Sequence, residues 1–211
     1  AQEEPFLLGL VGHVDPKRPE FMDDLARYAD HPLFCGIRCN GGYFEDIDEG
    51  SFMADMEYLA NAGLELDVLI REEHLPNMGL LAKRIPELPI VINHIAHMPI
   101  DGGPITPQWQ ELYGQAASHP NVYMKVSAVI EQSTIQPAPE ELERYRPALE
   151  AIWQAFGEDR LIFGSNWPVV ERAGSLDASL NIVKAFFAEK GRAASDKYFW
   201  QNAQRVYKYQ R

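Results

Sequence analysis

The chain has 211 residues, of which 46% are hydrophobic, 11% aromatic and 24% charged, a composition typical of a globular protein rather than of a disordered or fibrous one. Its formal net charge of −12 argues against a general binder of nucleic acid or of anionic membranes, because such partners require a basic face. The apolar runs are far shorter than the ~20 residues of a membrane-spanning helix. Two cysteines, Cys35 and Cys39, have a spacing that fits neither a zinc ribbon nor a redox pair, so we expect reduced thiols and a cytoplasmic location.

Six apolar runs alternate with amphipathic helical patterns along the chain. The predicted strands cover residues 7–14, 34–38, 64–70, 90–93, 122–126 and 161–163. A helical pattern follows each of the first four strands, through Phe21, Met56, Leu81 and Trp109 respectively. A further helix is predicted over residues 140–156, and two closing helices over about 176–189 and 195–207.

This order of elements predicts an α/β fold with a parallel sheet and right-handed crossovers. Two architectures have it: an open doubly wound sheet, and part of an eight-stranded (β/α)8 barrel of the TIM type. The first strand ends in His13-Val14-Asp15-Pro16, whereas an open sheet normally carries a glycine-rich phosphate loop there. No linker or change of composition divides the chain, so a single domain is expected over residues 1–211.

Polar side chains collect at the carboxyl ends of the predicted strands, where ligands bind in both architectures. In chain order they are His13, Asp15, Arg38, Asn40, Asp67, Arg71, Asn93, His94, His97, Lys125, Ser127, Ser165 and Asn166. Arg38 and Lys125 would be costly to bury and are suited to hold an anion. The alternative for Arg38 is a structural ion pair with Asp15 or Asp67.

His94 is the strongest individual candidate. It ends the most apolar strand, so a position on the ligand face suits it better than one in a core that Ile and Val already fill. His97 lies three residues further along, in a loop, and is the second candidate. Lys125 alternates with the core residues Met124 and Val126, which leaves open whether it points into the barrel or toward the helices.

A hydrolytic zinc site requires three or four His, Asp or Glu ligands and one open coordination position. The 211 residues contain neither an H-x-H nor an H-E-x-x-H motif. A complete metal site therefore cannot be assembled from the sequence.

Several strand-end stretches together resemble the amidohydrolase-related (type 2) TIM-barrel hydrolases, a group that includes lactonases acting on sugar lactones and on pyrone dicarboxylate. They are GLVGHVD at 9–15, GIR at 36–38, VINH at 91–94, NVYMKVS at 121–127 and RLIFGSNWPV at 160–169. Residues 202–207, NAQRVY, are similar to the family's final helix. The resemblance implies a metal-dependent hydrolase that opens a lactone or related cyclic ester of a small, carboxylate-bearing molecule by water attack.

The resemblance also implies roles for individual residues. His94 would polarise the carbonyl or bind a divalent metal such as zinc, and Arg38 would hold a carboxylate or a lactone oxygen. Asn166 stands where the family usually has the Asp that takes a proton from the attacking water. We therefore assign His94, Lys125 and Asn166 as candidate catalytic residues. The candidate substrate contacts are Arg38, His13, Asp15, His97, Ser127 and Trp167.

The sequence departs from the family pattern at three places. Asn166 carries an amide, which cannot accept a proton as a base, so His94 or His97 would serve or Asn166 would only orient water. Asn93 stands where Asp often precedes the His, which weakens the case for a bound cation. The family's first strand carries H-x-H, and the run at 9–15 resembles its third strand. We therefore hypothesise that an N-terminal stretch was removed or is not part of the given sequence, leaving about six of eight strand–helix units.

Two other functions fit the same residues. One is a metal-dependent decarboxylase of a small carboxylic acid. The other is a relative that has lost its base at Asn166 and binds a ligand without turning it over. Each would have a small-molecule partner, and a homodimer is an open alternative to a monomer.

Overall fold

The protein is described by a computed structural model, which covers residues 6–209. In this part of the chain, six parallel strands form one sheet in sequential order. The strands are β1 (Leu10–Gly12), β2 (Phe34–Asn40), β3 (Glu65–Leu69), β4 (Ile90–Ile92), β5 (Val122–Val126) and β6 (Leu161–Phe163). The sheet curls into a half-barrel with six of the eight strand–helix units of a TIM barrel, as predicted.

Helices connect the strands and follow the last of them. They are α1 (Phe21–Ala29), α2 (Phe52–Asn61), α3 (Leu75–Arg84), α4 (Pro107–Ala117), α5 (Leu142–Phe156), α6 (Leu176–Glu189), α7 (Arg192–Asp196) and α8 (Asn202–Tyr207). A π-helical turn, Lys197–Gln201, joins α7 to α8, so the last predicted helix is made of three segments. Between residues 6 and 209, no helix has both the length and the apolar character needed to cross a membrane.

The first predicted strand is longer than the observed one. Residues 7–14 were expected to be extended, but the ladder is confined to Leu10–Gly12. Within residues 6–209, β1 pairs only with β2. The register of this pair shifts between Leu10 and Val11, so few residues on either side of β1 can join a regular ladder. His13 and Asp15 consequently lie in a loop beyond the strand rather than at its last residue.

Side chains alternate between the two faces of the sheet. The face toward the helices is apolar and contributes Ile37, Cys39, Leu66, Val68, Ile90, Ile92, Val122, Met124 and Val126 to the main core. The alternate positions Arg38, Asp67, Val91, Lys125 and Ile162 point to the concave side. Lys125 therefore points into the half-barrel and not toward the helices.

The concave side of the sheet is partly covered by α8. Val206 packs in a second small cluster with Val91 and Ile162, and Ala203 and Tyr207 lie against it. The remaining space is a cavity of about 460 Å³, which Arg38, Asp67 and Lys125 line together with apolar residues of the segment leading into β1. Of the residues predicted to form the site, Arg38 and Lys125 line this cavity.

Candidate active site

Asp67 is the centre of the charged cluster in this cavity. Arg38 lies beside it in the parallel register of β2 and β3, and its guanidinium donates to Asp67 Oδ2 at 3.1 Å. The Lys125 ammonium donates to the same oxygen at 2.8 Å, and the Tyr207 hydroxyl donates to Asp67 Oδ1 at 2.9 Å. Asp67 thus accepts three hydrogen bonds while being fully buried.

The charges of this cluster determine its protonation states. Burial by itself would raise the pKa of Asp67, but the charges and hydrogen bonds of Lys125 and Arg38 outweigh burial and lower it. Burial, followed by the charge of Asp67, raises the pKa of Tyr207 well above its usual value, so its hydroxyl stays a donor. The Arg38–Asp67 ion pair is the structural alternative that the sequence left open. The Arg38 side chain nevertheless remains 45% exposed and retains donors for a ligand.

Glu65 lies deeper in the half-barrel than Asp67. Its carboxyl group is buried without a hydrogen-bond partner, and Gly36 leaves the space for it, since a Cβ there would lie 2.6 Å from Glu65 Oε1. Burial, followed by the charge of Asp67, raises the pKa of Glu65 well above its usual value. Burial thus favours the neutral form of Glu65, and in that form the two cations outnumber the single carboxylate of Asp67 and leave net positive charge facing the cavity.

His94 begins a left-handed turn directly after β4. The φ angles of residues 94 to 97 are 55°, 50°, 53° and 57°, a conformation that costs L-residues roughly 1–2 kcal/mol each. The turn is held from inside, because Ile95 and Ala96 are fully buried and the Ala96 amide donates to the Asn93 carbonyl at 3.1 Å. Four strained residues in succession make this turn a candidate functional element.

His94 and Ser127 form a hydrogen-bonded pair at the ends of β4 and β5. His94 Nδ1 lies 2.8 Å from Ser127 Oγ. Gly164, at the end of β6, allows this approach, because a Cβ there would lie 2.9 Å from Ser127 Cβ and 3.2 Å from the Lys125 side chain. Burial, followed by the proximity of His97, Lys125 and Arg38, lowers the pKa of His94 to about 4. The imidazole is therefore neutral at physiological pH.

His97 lies next to His94, with the two ring centroids 5.9 Å apart. Its Nδ1 is 3.4 Å from the Gln132 amide, and burial together with the charge of Arg71 lowers its pKa. A neutral His94 with a pKa of about 4 is a weak base at neutral pH, and the lowered pKa of His97 points the same way. The two histidines named as alternative bases are thus better suited to hydrogen bonding.

The Asn166 amide is paired with a carboxylate that the sequence analysis did not single out. Asn166 Nδ2 donates to Glu131 Oε1 at 2.6 Å. Burial raises the pKa of Glu131 against the opposing effect of the Asn166 hydrogen bond. An ionised carboxylate can only accept hydrogen bonds. Glu131 therefore binds the amide nitrogen of Asn166, and Asn166 Oδ1 remains available as an acceptor. An acid thus stands one hydrogen bond away from the position where the family usually has Asp.

Three of the predicted substrate contacts are not drawn into this cluster. His13 Nε2 pairs with Asp15 at 2.8 Å, and the His13 side chain is 69% exposed. Trp167 is 65% exposed, beyond the end of β6. Among the hydrogen bonds and ion pairs of residues 6–209, none joins His13, Asp15 or Trp167 to His94 or Lys125. These residues lie at the rim because the loops after β1 and β6 turn their side chains toward solvent.

The donor set does not fit a metal ion in the part of the chain that the structure describes. No three His, Cys, Asp or Glu side chains are grouped closely enough to hold one. His94 Nδ1 is in hydrogen-bonding contact with Ser127, and Asp67 already accepts hydrogen bonds from three donors. A zinc site requires at least three protein ligands, so residues 6–209 do not supply it by themselves.

The site residues missed from the sequence share one property: their roles depend on long-range contacts. Glu65 precedes the strand end by several residues, Glu131 lies beyond β5 in a short helical turn, and Tyr207 belongs to the last helix. A rule that reads only strand ends finds none of them. Alternation along β3 does place Glu65 on the same face as Asp67, and that is the one signal the sequence offered.

Comparison with known proteins agrees with this architecture. The sequence model of a family described as Amidohydrolase matches residues 1–209. An L-fucono-1,5-lactonase from Burkholderia ambifaria is 33% identical over 180 residues, which cover 82% of this chain and 60% of the lactonase. The chain thus spans less than two thirds of the length of that relative.

Two solved structures have a similar fold. An amidohydrolase from Burkholderia multivorans with bound zinc superposes with a TM-score of 0.87 at 22% identity, covering 100% of this chain and 76% of that one. A probable 2-pyrone-4,6-dicarboxylic acid hydrolase from Acinetobacter baumannii, with citric acid bound, superposes with a TM-score of 0.79 at 14% identity. That match covers 99% of this chain and 76% of the hydrolase.

Proposed function

Because this chain belongs to the amidohydrolase family, we propose that it hydrolyses a lactone or related cyclic ester of a small, polar acid. L-Fucono-1,5-lactone is the first substrate to test, because an L-fucono-1,5-lactonase shares 33% identity with the chain. The proposal extends to the class of sugar lactones, since an L-rhamnono-gamma-lactonase is a further relative, 28% identical over 160 residues.

The observation that carries the proposal is the combination of two cations with a neutral imidazole at one edge of the half-barrel. Arg38 and Lys125 share the single carboxylate of Asp67, and both raise the local positive potential at His94. A lactone develops negative charge on its carbonyl oxygen when water adds to it. Positive charge and fixed hydrogen-bond donors at that point favour the transition state over the ground state.

The reaction adds one water molecule and breaks one bond. The water oxygen bonds to the carbonyl carbon, the carbonyl oxygen becomes an oxyanion, and the bond from this carbon to the ring oxygen then breaks. One water proton ends on the freed hydroxyl, and the carboxylic acid loses the other at neutral pH. Atoms and charge balance without a redox partner.

The residues of the cluster have distinct roles in this scheme. In this scheme Ser127 donates to His94 Nδ1, 2.8 Å away, rather than to the Lys125 carbonyl at 3.5 Å. The imidazole proton is then on Nε2, where it serves as a donor to the oxyanion. The Lys125 ammonium stabilises the same charge. Arg38, through its exposed donors, binds a hydroxyl or carboxylate of the substrate.

Asn166 orients the attacking water through Oδ1, and Glu131 holds the amide in that orientation. This arrangement answers the absence of Asp at position 166. The amide does not have to take a proton from the water, because its oxygen only accepts a hydrogen bond from it.

The test is a pH-indicator assay of lactone opening with the full chain and three variants. His94→Ala should abolish turnover, whereas Arg38→Ala should chiefly raise KM. Arg27→Ala removes a surface arginine paired with Asp24 and serves as the control, with no change expected. In Arg38→Ala, a fall in kcat as large as the rise in KM would contradict the binding role of Arg38.

A carbon dioxide assay, run beside the pH-indicator assay, separates the other functions. Release of carbon dioxide from a small carboxylic acid, without lactone opening, would establish a decarboxylase instead. An inactive chain that gains turnover on Asn166→Asp would establish a ligand-binding relative that has lost its catalysis. Chelation followed by metal analysis determines whether a divalent metal such as zinc is required.

We also propose a cytoplasmic location and a homodimer. The two thiols, Cys35 and Cys39, are free and buried, which suits a reducing compartment. Light scattering would determine the oligomeric state.

A further inference from the structure

Two buried tyrosines extend from the helical layer outside the sheet to the strand ends that carry His94 and Ser127. Tyr113 of α4 and Tyr198 of the π-helical turn are both fully buried. The Tyr113 hydroxyl donates to the Ile95 carbonyl at 2.8 Å, and the Tyr198 hydroxyl donates to the Val126 carbonyl at 2.8 Å. Both acceptors are backbone atoms immediately next to His94 and Ser127, the two members of the hydrogen-bonded pair.

The Tyr113 bond falls on the strained part of the chain. Ile95 is the β-branched residue with φ 50° in the left-handed turn, where such a side chain is a marked outlier. Strain of this kind persists only where surrounding structure fixes it. The ring of Tyr113 is itself fixed, since it packs against Trp109 at 5.3 Å and Phe156 at 6.3 Å between centroids.

The Tyr198 bond reaches the other strand end in the same way. Tyr198 lies in a π-helical turn, a rare geometry that recurs at functional sites. Its ring stacks on Phe187 with centroids 3.6 Å apart and planes 5° apart, so the hydroxyl has little freedom. Its acceptor, Val126, is the last residue of β5 and directly precedes Ser127.

From these contacts we infer that Tyr113 and Tyr198 are positioning residues, which set the separation of His94 and Ser127 through the backbone. Each tyrosine fixes one member of the pair, so the 2.8 Å contact between His94 Nδ1 and Ser127 Oγ depends on both. With Ser127 as the donor in that contact, the imidazole proton is held on Nε2. The inference rests on the proposed function for its catalytic consequence, while the effect on the tautomer is independent of any substrate.

The test uses Tyr113→Phe and Tyr198→Phe, which keep the ring and remove one hydroxyl. Tyr145→Phe is the matched control: Tyr145 is equally buried and donates to the Pro139 carbonyl in the loop before α5. With the lactone as substrate, each test variant should lower kcat ~10-fold and change KM less than twofold, since small displacements of a catalytic group are costly. The double variant should lose little more than either single one, because both act on one contact.

A second measurement requires no turnover. In protein labelled with ¹⁵N at histidine, the two His94 ring nitrogens should show a single fixed tautomer, assigned by their loss in His94→Gln. In Tyr113→Phe and in Tyr198→Phe these signals should move toward those of an averaged, solvent-exposed histidine. Tyr145→Phe should leave them unchanged.

The outcomes separate the two proposals. If the unaltered chain opens no lactone but the His94 signals of the test variants move as expected, the proposed function is refuted and the positioning role stands. Unchanged His94 signals in both test variants, or equal changes in Tyr145→Phe, would overturn the positioning role whatever the turnover.

Discussion

Asp67→Asn is expected to destabilise the fold, because it removes the charge around which Arg38, Lys125 and Tyr207 are arranged. The Lys125 pair dominates: its side chain is 13% exposed, and a charge-assisted hydrogen bond in such a place contributes about 2 kcal/mol. Arg38 is 45% exposed and therefore screened by solvent, so its pair adds less than about 1 kcal/mol. The weakened Tyr207 bond adds about 0.5 kcal/mol.

The expected loss in the free energy of unfolding is therefore about 3 kcal/mol, at the lower end of the ~3–5 kcal/mol typical of a broken buried pair. Part of the loss is offset, because the charge of Asp67 is one cause of the raised pKa of Glu65. For a chain of this size, the change lowers Tm by roughly 6–12 °C.

Urea unfolding, followed by tryptophan fluorescence at pH 7, measures this difference. The control is Asp24→Asn, which removes a carboxylate from a surface pair with Arg27 and should cost less than about 1 kcal/mol. Because the pKa of Asp67 is lowered in the fold, its stabilisation is present above the ordinary value of 3.8 and is lost as the pH falls below it. A loss in Asp67→Asn no larger than that in Asp24→Asn would refute the reasoning.

Three further changes test other parts of the cluster. The raised pKa of Glu65 means that the fold of the unaltered chain loses stability as the pH rises above 4.5. Glu65→Gln removes this loss, so the variant should gain more stability over the unaltered chain at pH 7 than at pH 4, as unfolding curves at both pH values would show. Gly164→Ala should cost ~1–3 kcal/mol in thermal unfolding and lower turnover further, since its Cβ would press on Ser127. Cys39, fully buried and with a raised pKa, should react with a thiol reagent only after unfolding, and fast labelling of this thiol in the native chain would contradict its burial.

The periodic features of the sequence predicted the fold well. Buried parallel strands are continuous β-branched runs, and residues 90–93 were recognisable on that ground. The boundaries failed where tertiary contacts decide them. β1 is irregular because its register with β2 shifts between Leu10 and Val11, and β4 ends before Asn93 because the left-handed turn begins at His94.

The site was predictable only in part, because strand-end position identifies a residue but not its partners. His94, Lys125, Ser127 and Arg38 were all found by that rule, and the structure brings them together. The Glu131–Asn166 pair depends on how the loop after β5 folds back onto the end of β6, which no local pattern encodes. The sequence also gave Asp67 no more than the role of a partner for Arg38, although three donors converge on it.

The hydrogen bond between Tyr207 and Asp67 joins residues 140 positions apart in sequence. Contacts of such long range form late in folding, because the entropy of closing the loop between them must be overcome first. Since a ribosome delivers β3 long before α8, Asp67 is synthesised well ahead of one of its three donors. The charged cluster would then be among the last parts of the molecule to reach its final arrangement, after the sheet and its helices have assembled.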